Sequence, residues 1–224
     1  MNFKGKKVLI VGMARSGISA AILLKRLGAC VIVSDSKTED KISDEVLMLK
    51  AYDISLYLGK NPDDIIKEQD LIILSPGVPS DLPFISEAEK NNIVVWSEVE
   101  LGYRLCPCPV IAITGTNGKT TTTSLVGEIF RNYKKNTEVV GNIGIPFTEK
   151  VLSLDDRSFA VAEISSFQLE KIDKFKPFVS AILNITPDHL NRHKTLENYI
   201  LTKARIFENQ NENNYLILNY DDSV

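Results

Sequence analysis

The stretch VIAITGTNGKTTTTS, Val110 to Ser124, decides the fold of the half of the chain that contains it. An apolar run leads into a glycine turn, and a helical pattern follows the turn. Gly115 and Gly118 allow successive backbone N–H groups to face a polyphosphate. Lys119 adds a positive charge, and the hydroxyl of Thr120 can complete the shell of a Mg²⁺ ion. The stretch therefore predicts a phosphate-binding loop between a buried strand and the N-terminus of a helix.

The glycine spacing of this turn departs from the standard P-loop. Ile113 stands five positions before Gly118, where the standard motif has its first glycine. A plain turn with Lys119 in solvent is the alternative that this spacing leaves open. Because Gly-Lys-Thr directly follows an apolar strand and precedes a helix, we favour the phosphate-binding interpretation.

Short runs of Val, Ile and Leu recur along the whole chain, with helical patterns between them. The runs do not alternate with polar residues, which is typical of buried parallel strands in an α/β sheet. Two prolines in YRLCPCPV, Tyr103 to Val110, interrupt this rhythm, because proline cannot sit in a central strand. We therefore expect two α/β domains: a Rossmann-like parallel-sheet domain over residues 1–104, and a P-loop ATPase-type domain over residues 109–224. The predicted strands lie in KKVLIVG, CVIVSD, DLIILSPG, NIVVWSE, PVIAITG, TEVVGN, FAVAEISS, VSAILNIT and NYLILN.

The first domain has a glycine turn of its own, GMARSG, Gly12 to Gly17, between a strand and a helix. It is similar to the dinucleotide fingerprint, but Ala14 replaces the central glycine that lets a pyrophosphate approach. Asp35 ends the next strand, where such folds place an acid against a ribose. The Pro-Gly turn of LSPGVPS, Leu74 to Ser80, follows another strand end on the ligand side of the sheet. A packing turn, a nicotinamide cofactor and another nucleotide diphosphate all remain open here.

The composition limits the possible partners. A net charge of -3 and a pI near 5.5 leave no global basic field for nucleic acid or an anionic membrane, so any phosphate site is local. The longest apolar run is too short for a membrane span, and the N-terminal sequence lacks a signal-peptide pattern, so we expect a cytoplasmic protein. Cys106 and Cys108 form a C-x-C without a second pair at ligand spacing, which argues against zinc.

The segment TLENYILTKARIFEN, Thr195 to Asn209, has the pattern of a helix. Leu196, Ile200 and Phe207 lie along one face of it, with Tyr199 and Ile206 beside them. Lys203 falls in the middle of that apolar stripe. A buried lysine is rare, and desolvation lowers its pKa toward that of a neutral amine at physiological pH. The alternative is a snorkelling side chain that keeps its ammonium group at the surface.

Acidic and histidine residues follow two other predicted strands. Glu163 ends the strand in VAEISSFQLE, and Asp188 and His189 follow the strand in ILNITPDHLNRH. Carboxylate and imidazole groups beside a phosphate loop suit Mg²⁺ bound to a triphosphate. Glu163 could instead cap a helix, and His189 and His193 could be surface residues. Their occurrence together favours the metal-binding interpretation.

The segments TGTNGKTTT, EISSFQLE, NITPDHLNRH and TKARIFEN, in this order and at these separations, resemble the Mur ligases of bacterial peptidoglycan synthesis. SSFQLE is similar to the branch of the family that adds D-glutamate to UDP-N-acetylmuramoyl-L-alanine. Members have three domains: the first holds the UDP part of the substrate, the central one binds ATP, and the third helps to bind ATP and the amino acid. NYLILNYDDSV resembles a position inside the central domain. The resemblance thus implies a fragment that lacks the C-terminal domain and is inactive alone.

The resemblance also implies roles for individual residues. ATP phosphates would contact Gly115, Thr116, Asn117, Gly118, Lys119, Thr120 and Thr121. Catalysis would involve Lys119, Glu163, His189 and Lys203, and Mg²⁺ would be held by Thr120, Glu163, His189 and Lys203. The UDP-linked substrate would contact Arg15, Ser16, Asp35, Ser36, Gly77 and Asn142. Because the matching lysine of the family is carbamylated by CO₂, a carbamate on Lys203 would provide an oxygen ligand for a second Mg²⁺.

The implied reaction transfers the γ-phosphate of ATP to the substrate carboxylate, and the amine of D-glutamate then attacks the acyl phosphate. This places the protein in peptidoglycan precursor synthesis, and so in cell shape and division, as a monomer without nucleic-acid or membrane partners. One alternative is another ATP-dependent ligase of the superfamily, such as a folylpolyglutamate synthase. A nicotinamide-dependent oxidoreductase built on GMARSG is a second, although it leaves GTNGKT unexplained. A third is that the chain acts only as a binding module.

Overall fold

A computed structural model describes residues 1–133 and 136–222. The chain divides into two units, Met1–Leu101 and Gly102–Val224, each built on a parallel sheet of five strands. The division falls inside the helix Glu98–Leu105, whereas the sequence predicts a boundary between residues 104 and 109. None of the helices in the described part of the chain is long and apolar enough to cross a membrane.

The first unit alternates strands and helices. Its strands are β1 (Lys7–Val11), β2 (Cys30–Asp35), β3 (Ser55–Leu58), β4 (Leu71–Leu74) and β5 (Val94–Ser97). Its helices are α1 (Arg15–Arg26), α2 (Ser43–Ala51), α3 (Pro83–Lys90) and α4 (Glu98–Leu105). The strand order is β3-β2-β1-β4-β5. The central strand β1 and its neighbour β4 bury nearly all of their residues, as their continuous apolar runs predict.

The strand β3 is absent from the strands predicted by the sequence. Its sequence is SLYL, and it pairs only with β2 at the edge of the sheet. None of its four residues is buried. Because an edge strand is only partly covered, its sequence does not need the apolar run that identifies a central strand.

The second unit repeats the same alternation. Its strands are β6 (Val110–Thr114), β7 (Thr137–Gly141), β8 (Phe159–Glu163), β9 (Val179–Ile182) and β10 (Tyr215–Leu218). Its helices are α5 (Lys119–Asn132), α6 (Phe147–Lys150), α7 (Ser166–Leu169), α8 (Leu190–His193) and α9 (Leu196–Ala204). The strand order is β10-β9-β6-β8-β7. All residues of β6 are buried, and all residues of the edge strand β10 are exposed.

The carboxyl ends of the central strands carry the predicted site residues in both units. In the first unit, β1 leads into Gly12 and β2 ends at Asp35. In the second unit, β6 leads into Gly115 and β8 ends at Glu163. Open parallel sheets bind ligands outside these carboxyl ends. Each sheet therefore places its candidate residues where a ligand is expected.

Gly17 occupies the point where α1 comes closest to the turn after β1. A Cβ at this position would collide with the carbonyl oxygen of Gly12 and would also crowd Ser75. We expect Gly17→Ala to lower the free energy of unfolding by about 3 kcal/mol, because backbone must move to admit the methyl group. Urea unfolding followed by circular dichroism measures this change.

Gly77 provides the matched control for this prediction. A Cβ at Gly77 would meet nothing within 4 Å, so Gly77→Ala is expected to leave the urea midpoint nearly unchanged. Equal shifts of the midpoint in the two variants would show that the contact with Gly12 does not constrain position 17.

Candidate functional site

The glycine turn of the second unit links β6 to α5. Gly118, immediately before α5, has a φ of +81°, a left-handed conformation that glycine adopts without the steric penalty of a side chain. The first N–H groups of a helix have no intrahelical acceptor and carry a partial positive charge. No acidic residue belongs to the first turn of α5 itself, although the carboxylate of Glu163 accepts a hydrogen bond from Thr120 in that turn.

Two lysine ammonium groups converge on one carbonyl oxygen of this turn. Lys119 Nζ donates to the carbonyl oxygens of Gly115 and Thr116, at 2.9 and 2.8 Å. Lys203 Nζ donates to the same Gly115 oxygen at 2.8 Å. The charge of Lys119 repels that of Lys203 whenever Lys203 is protonated, and an anion beside the turn relieves the repulsion. The turn is thus arranged electrostatically for a polyphosphate.

Lys203 is buried, with only 1% of its surface exposed, so the snorkelling alternative is wrong. Its Nζ also donates to Thr114 Oγ1 at 3.3 Å and lies 4.6 Å from the ring centre of Tyr199. Burial lowers the pKa of Lys203 to about 7, with a further contribution from the positive charge of Lys119, while Asp188 acts in the opposite direction. In a large fraction of the molecules, Lys203 is therefore a neutral amine at physiological pH.

The helix around Lys203 differs from its prediction in two respects. It ends at Ala204 and continues as a short 3-10 helix, Arg205–Phe207, instead of extending to Asn209. Its buried line consists of Tyr199, Lys203 and Ile206, whereas Leu196, Ile200 and Phe207 are half-buried. The buried face of the helix is therefore rotated slightly from the predicted one. Residue spacing alone does not distinguish a buried helix face from the face next to it.

Two other candidate residues donate hydrogen bonds to Glu163 at the end of β8. Thr120 Oγ1 donates to Glu163 Oε2 at 2.8 Å, and Asn142 Nδ2 donates to Glu163 Oε1 at 2.8 Å. The carboxylate is 1% exposed, so these two bonds replace its lost hydration. Asn142, which the resemblance assigns to the substrate, lies here against the carboxylate, and Glu163 does not cap a helix.

His189 lies immediately before α8, against Asp188 and Phe167. It has a left-handed backbone with a φ of +52° immediately before α8, and its Nε2 lies 3.5 Å from Asp188 Oδ2. The ring packs against Phe167 with centroids 4.9 Å apart. By contrast, His193 is buried, and its Nε2 lies 2.9 Å from Ser166 Oγ, so the surface interpretation of His193 is wrong.

The oxygen atoms near Glu163 suit a magnesium ion better than a metal ion that is bound by protein side chains alone. Within residues 1–133 and 136–222, no three His, Cys, Asp or Glu side chains are arranged to hold a metal ion. Mg²⁺ usually keeps several waters and binds through one or two carboxylates together with substrate phosphates. Glu163 and the Thr120 hydroxyl beside it are suited to that role.

The glycine turn between β6 and α5 is held in place by residues that the sequence analysis did not identify as site residues. Asn184 Oδ1 accepts from the backbone N–H of Asn117 at 2.8 Å, and Asn184 Nδ2 donates to Asn117 O at 3.0 Å. Tyr199 OH lies 3.3 Å from Thr116 Oγ1, which also donates to Thr186 O at 3.1 Å. The only sequence signal for Asn184 is a polar residue shortly after a buried strand, two positions beyond the end of β9, which is common to many loops.

The first unit contains a separate pocket of about 440 Å³ at the carboxyl ends of β1, β2 and β4. Asp35 Oδ2 accepts from the backbone N–H of Met13, and Asp35 Oδ1 accepts from that of Lys37, each at 2.9 Å. Asp35 therefore ties the glycine turn to the end of β2. The pocket lining includes Gly12, Ala14, Asp35, Ser36, Lys37, Lys60 and Gly77.

Arg15 and Ser16, which are also predicted to contact the substrate, are not among the residues that line this pocket. They begin α1 directly after the lining residue Ala14, so their backbone N–H groups belong to the first turn of that helix. The lining carries both signs of charge, because Asp35 and Glu45 accompany Lys37 and Lys60. The N-terminus of α1 is therefore the feature of this region that suits the diphosphate of a nucleotide.

Two family models match the chain, one for each unit. Residues 6–97 match the Mur ligase MurD-like N-terminal domain, and residues 113–224 match the Mur ligase middle domain. Similar curated proteins include the UDP-N-acetylmuramoylalanine–D-glutamate ligases of Clostridioides difficile and Alkaliphilus metalliredigens, which are 52% and 49% identical. These alignments cover 100% and 99% of this chain, but 50% and 49% of the relatives. The chain spans about half the length of the curated relatives it matches.

Solved structures agree on the fold. The structure of UDP-N-acetylmuramate:L-alanyl-gamma-D-glutamyl-meso-diaminopimelate ligase from Neisseria meningitides superposes with a TM-score of 0.63 over 98% of this chain and 72% of that one, at 17% identity. UDP-N-acetylmuramate-alanine ligase from Thermotoga maritima gives 0.57 over 97% and 50%, at 23% identity. At these identities the likeness concerns the arrangement of the chain alone.

Proposed function

The chain belongs to the Mur ligase family, and from this premise we propose that it provides the UDP-substrate site and the ATP site of a D-glutamate-adding ligase. The proposed reaction joins D-glutamate to UDP-N-acetylmuramoyl-L-alanine and forms ADP and phosphate. The observation that carries the proposal is the identity of about half of all residues, over the whole chain, with ligases named for that reaction. The geometry of the two units supports it independently.

In the second unit, we propose that the turn at residues 115–121 holds the phosphates of ATP. Lys119 and the N-terminus of α5 would offset the charge that develops on the transferred phosphoryl group. The proposed transfer forms an acyl phosphate on the substrate carboxylate, which turns a poor leaving oxygen into a good one. Attack by the amine of D-glutamate then forms the amide and releases phosphate.

Magnesium is the metal that this site would take. Thr120 and Glu163 would hold a first ion, and His189 together with a modified Lys203 would hold a second. The ions would neutralise phosphate charge and orient the phosphoryl group for transfer. What the chain itself supplies is a buried carboxylate already positioned by Thr120 and Asn142.

We propose that CO₂ carbamylates Lys203. Carbamate formation requires the neutral amine, and burial together with Lys119 lowers the pKa of Lys203 to about 7. We expect the chain, supplied with ¹³C-bicarbonate near neutral pH, to show a carbamate carbon signal by NMR. The signal should disappear in Lys203→Arg. It should persist in Lys90→Arg, in which an exposed lysine is replaced instead. A signal that persists in Lys203→Arg would place the modification elsewhere.

In the first unit, we propose that the pocket beside Asp35 binds the UDP part of the substrate. Calorimetric titration of the chain with UDP-N-acetylmuramoyl-L-alanine is expected to show binding, and titration with NAD is expected to show none. Asp35→Ala should weaken the nucleotide-sugar affinity about 10- to 100-fold, because hydrogen bonds to a charged group that orders the turn are lost. Asp156→Ala, an exposed aspartate in the other unit, is the control.

The outcome of these titrations separates the ligase from the oxidoreductase. Binding of NAD without the nucleotide sugar would overturn the proposal for the first unit and would support a nicotinamide-dependent enzyme. Competition among amino acids in a full-length ligase would separate the D-glutamate enzyme from a folylpolyglutamate-type ligase.

Because the proposed reaction consumes ATP and a nucleotide sugar, we place it in the cytoplasm. The monomeric state stays a prediction.

A further inference from the structure

Cys106 and Cys108 lie in the segment between α4 and β6, outside the site residues described above. Their Sγ atoms are 3.5 Å apart, and either thiol can donate a hydrogen bond to the other. Pro107 stands between them and Pro109 follows, so two of the backbone φ angles in this short segment are fixed. The two sulfur atoms are therefore held as a preorganised pair.

The two thiols have different environments. Both line a pocket of about 470 Å³ together with Arg104 and Lys176, but Cys106 is half-buried whereas Cys108 is only 9% exposed. The hydrogen bond from Cys108 lowers the pKa of the Cys106 thiol. The same hydrogen bond, together with burial, raises the pKa of Cys108. Cys106 is thus the more exposed of the two thiols, and the hydrogen bond between them favours the thiolate on Cys106.

We propose that Cys106 and Cys108 form a reversible thiol–disulfide site whose substrates are low-molecular-weight disulfides such as oxidised glutathione. In the first step, Cys106 loses its proton to solvent, and its sulfur attacks one sulfur of the disulfide. A mixed disulfide forms and one thiolate leaves. In the second step, Cys108 loses its proton and attacks the Cys106 sulfur, which releases the second thiolate. The protein loses two electrons and two protons, and the external disulfide is reduced to two thiols.

The accessibility of Cys106 favours an exchangeable bond over a permanent structural one. Cys106 is only partly buried and lines a pocket, so a small thiol can approach its sulfur. Accessible disulfides are the ones that exchange readily. We therefore expect mild reductants to restore the dithiol.

Peptide mass spectrometry of the wild-type chain tests this proposal. The reduced chain is treated with oxidised glutathione, quenched with acid, alkylated and digested with trypsin. The tryptic peptide Leu105 to Lys119 contains both cysteines and is expected to lose two hydrogens, to resist alkylation and to carry no glutathione. Cys30, an exposed single thiol in the first unit, is the internal control and is expected to stop at the mixed disulfide. Dithiothreitol should restore both peptides.

Substitution of the second thiol separates its two roles. In Cys108→Ser, the reaction is expected to stop at a glutathione adduct of Cys106, because no neighbouring thiol can displace it. Cys108→Ala also removes the hydrogen-bond donor, so alkylation of Cys106 by iodoacetamide at neutral pH should slow at least about threefold in that variant as the thiolate fraction of Cys106 falls. Far-UV circular dichroism verifies that each variant is folded.

Two results would overturn the proposal. One is a wild-type peptide that remains fully alkylatable under conditions in which Cys30 has become a mixed disulfide. The other is a wild-type peptide that retains glutathione and never loses two hydrogens.

Discussion

Replacement of Lys119 by alanine is expected to lower the turnover of a full-length ligase built on this sequence by about 100- to 1000-fold, the usual effect of removing one group that stabilises developing charge. Lys119 is only half-buried, unlike Lys203, so a ligand can reach its ammonium group. That group donates hydrogen bonds to the carbonyl oxygens of Gly115 and Thr116. Steady-state assays with saturating and with limiting ATP measure the change in kcat and in KM.

The fold should survive this substitution. Gly115 O keeps its hydrogen bond from Lys203, and Asn184 still braces the backbone of Asn117. The urea midpoint of Lys119→Ala should therefore remain close to that of the wild-type chain. Lys90→Ala, which removes an exposed lysine from the first unit, controls for the loss of one positive charge. Normal turnover in Lys119→Ala would remove this lysine from the proposed mechanism.

Replacement of Lys203 by methionine is expected to have opposite effects on stability and on activity. Methionine fills a similar volume without a charge, so the free energy of unfolding at pH 7 should rise by about 1–4 kcal/mol, as for other buried ionic groups replaced by apolar ones. The same substitution should abolish ligation, because the amine that would be carbamylated is lost. Urea unfolding in CO₂-free buffer and activity assays on the full-length ligase measure the two effects.

The stability difference should depend on pH with a defined sign. The pKa of Lys203 falls from 10.5 in the unfolded chain to about 7 in the folded protein. Between these values the unfolded state binds the extra proton, so wild-type stability should rise with pH over this window. Lys203→Met lacks this contribution, and its advantage should be largest at pH 7 or below and vanish near pH 10.5. An advantage independent of pH would show that charge burial is not its cause.

The architecture and the phosphate turn follow from local features of the sequence. Apolar runs identify the buried strands, and the glycines with their following lysine identify the turn, because period and turn chemistry are properties of neighbouring residues. The exception is β3, whose partly exposed position at the sheet edge needs no apolar run. The sequence also predicted the unusual position of Lys203 from its place in an apolar helix face.

Only the tertiary structure decided which of these residues meet. Lys203 and Gly115 are 88 residues apart in the chain, Glu163 and Thr120 are 43 apart, and each pair is joined by a hydrogen bond of 2.8 Å. The structure also decided that Lys203 is buried and that His193 is buried beside Ser166. Side-chain spacing along one element specifies a face, whereas contacts between elements depend on strand order and helix rotation, which are set by packing of the whole sheet.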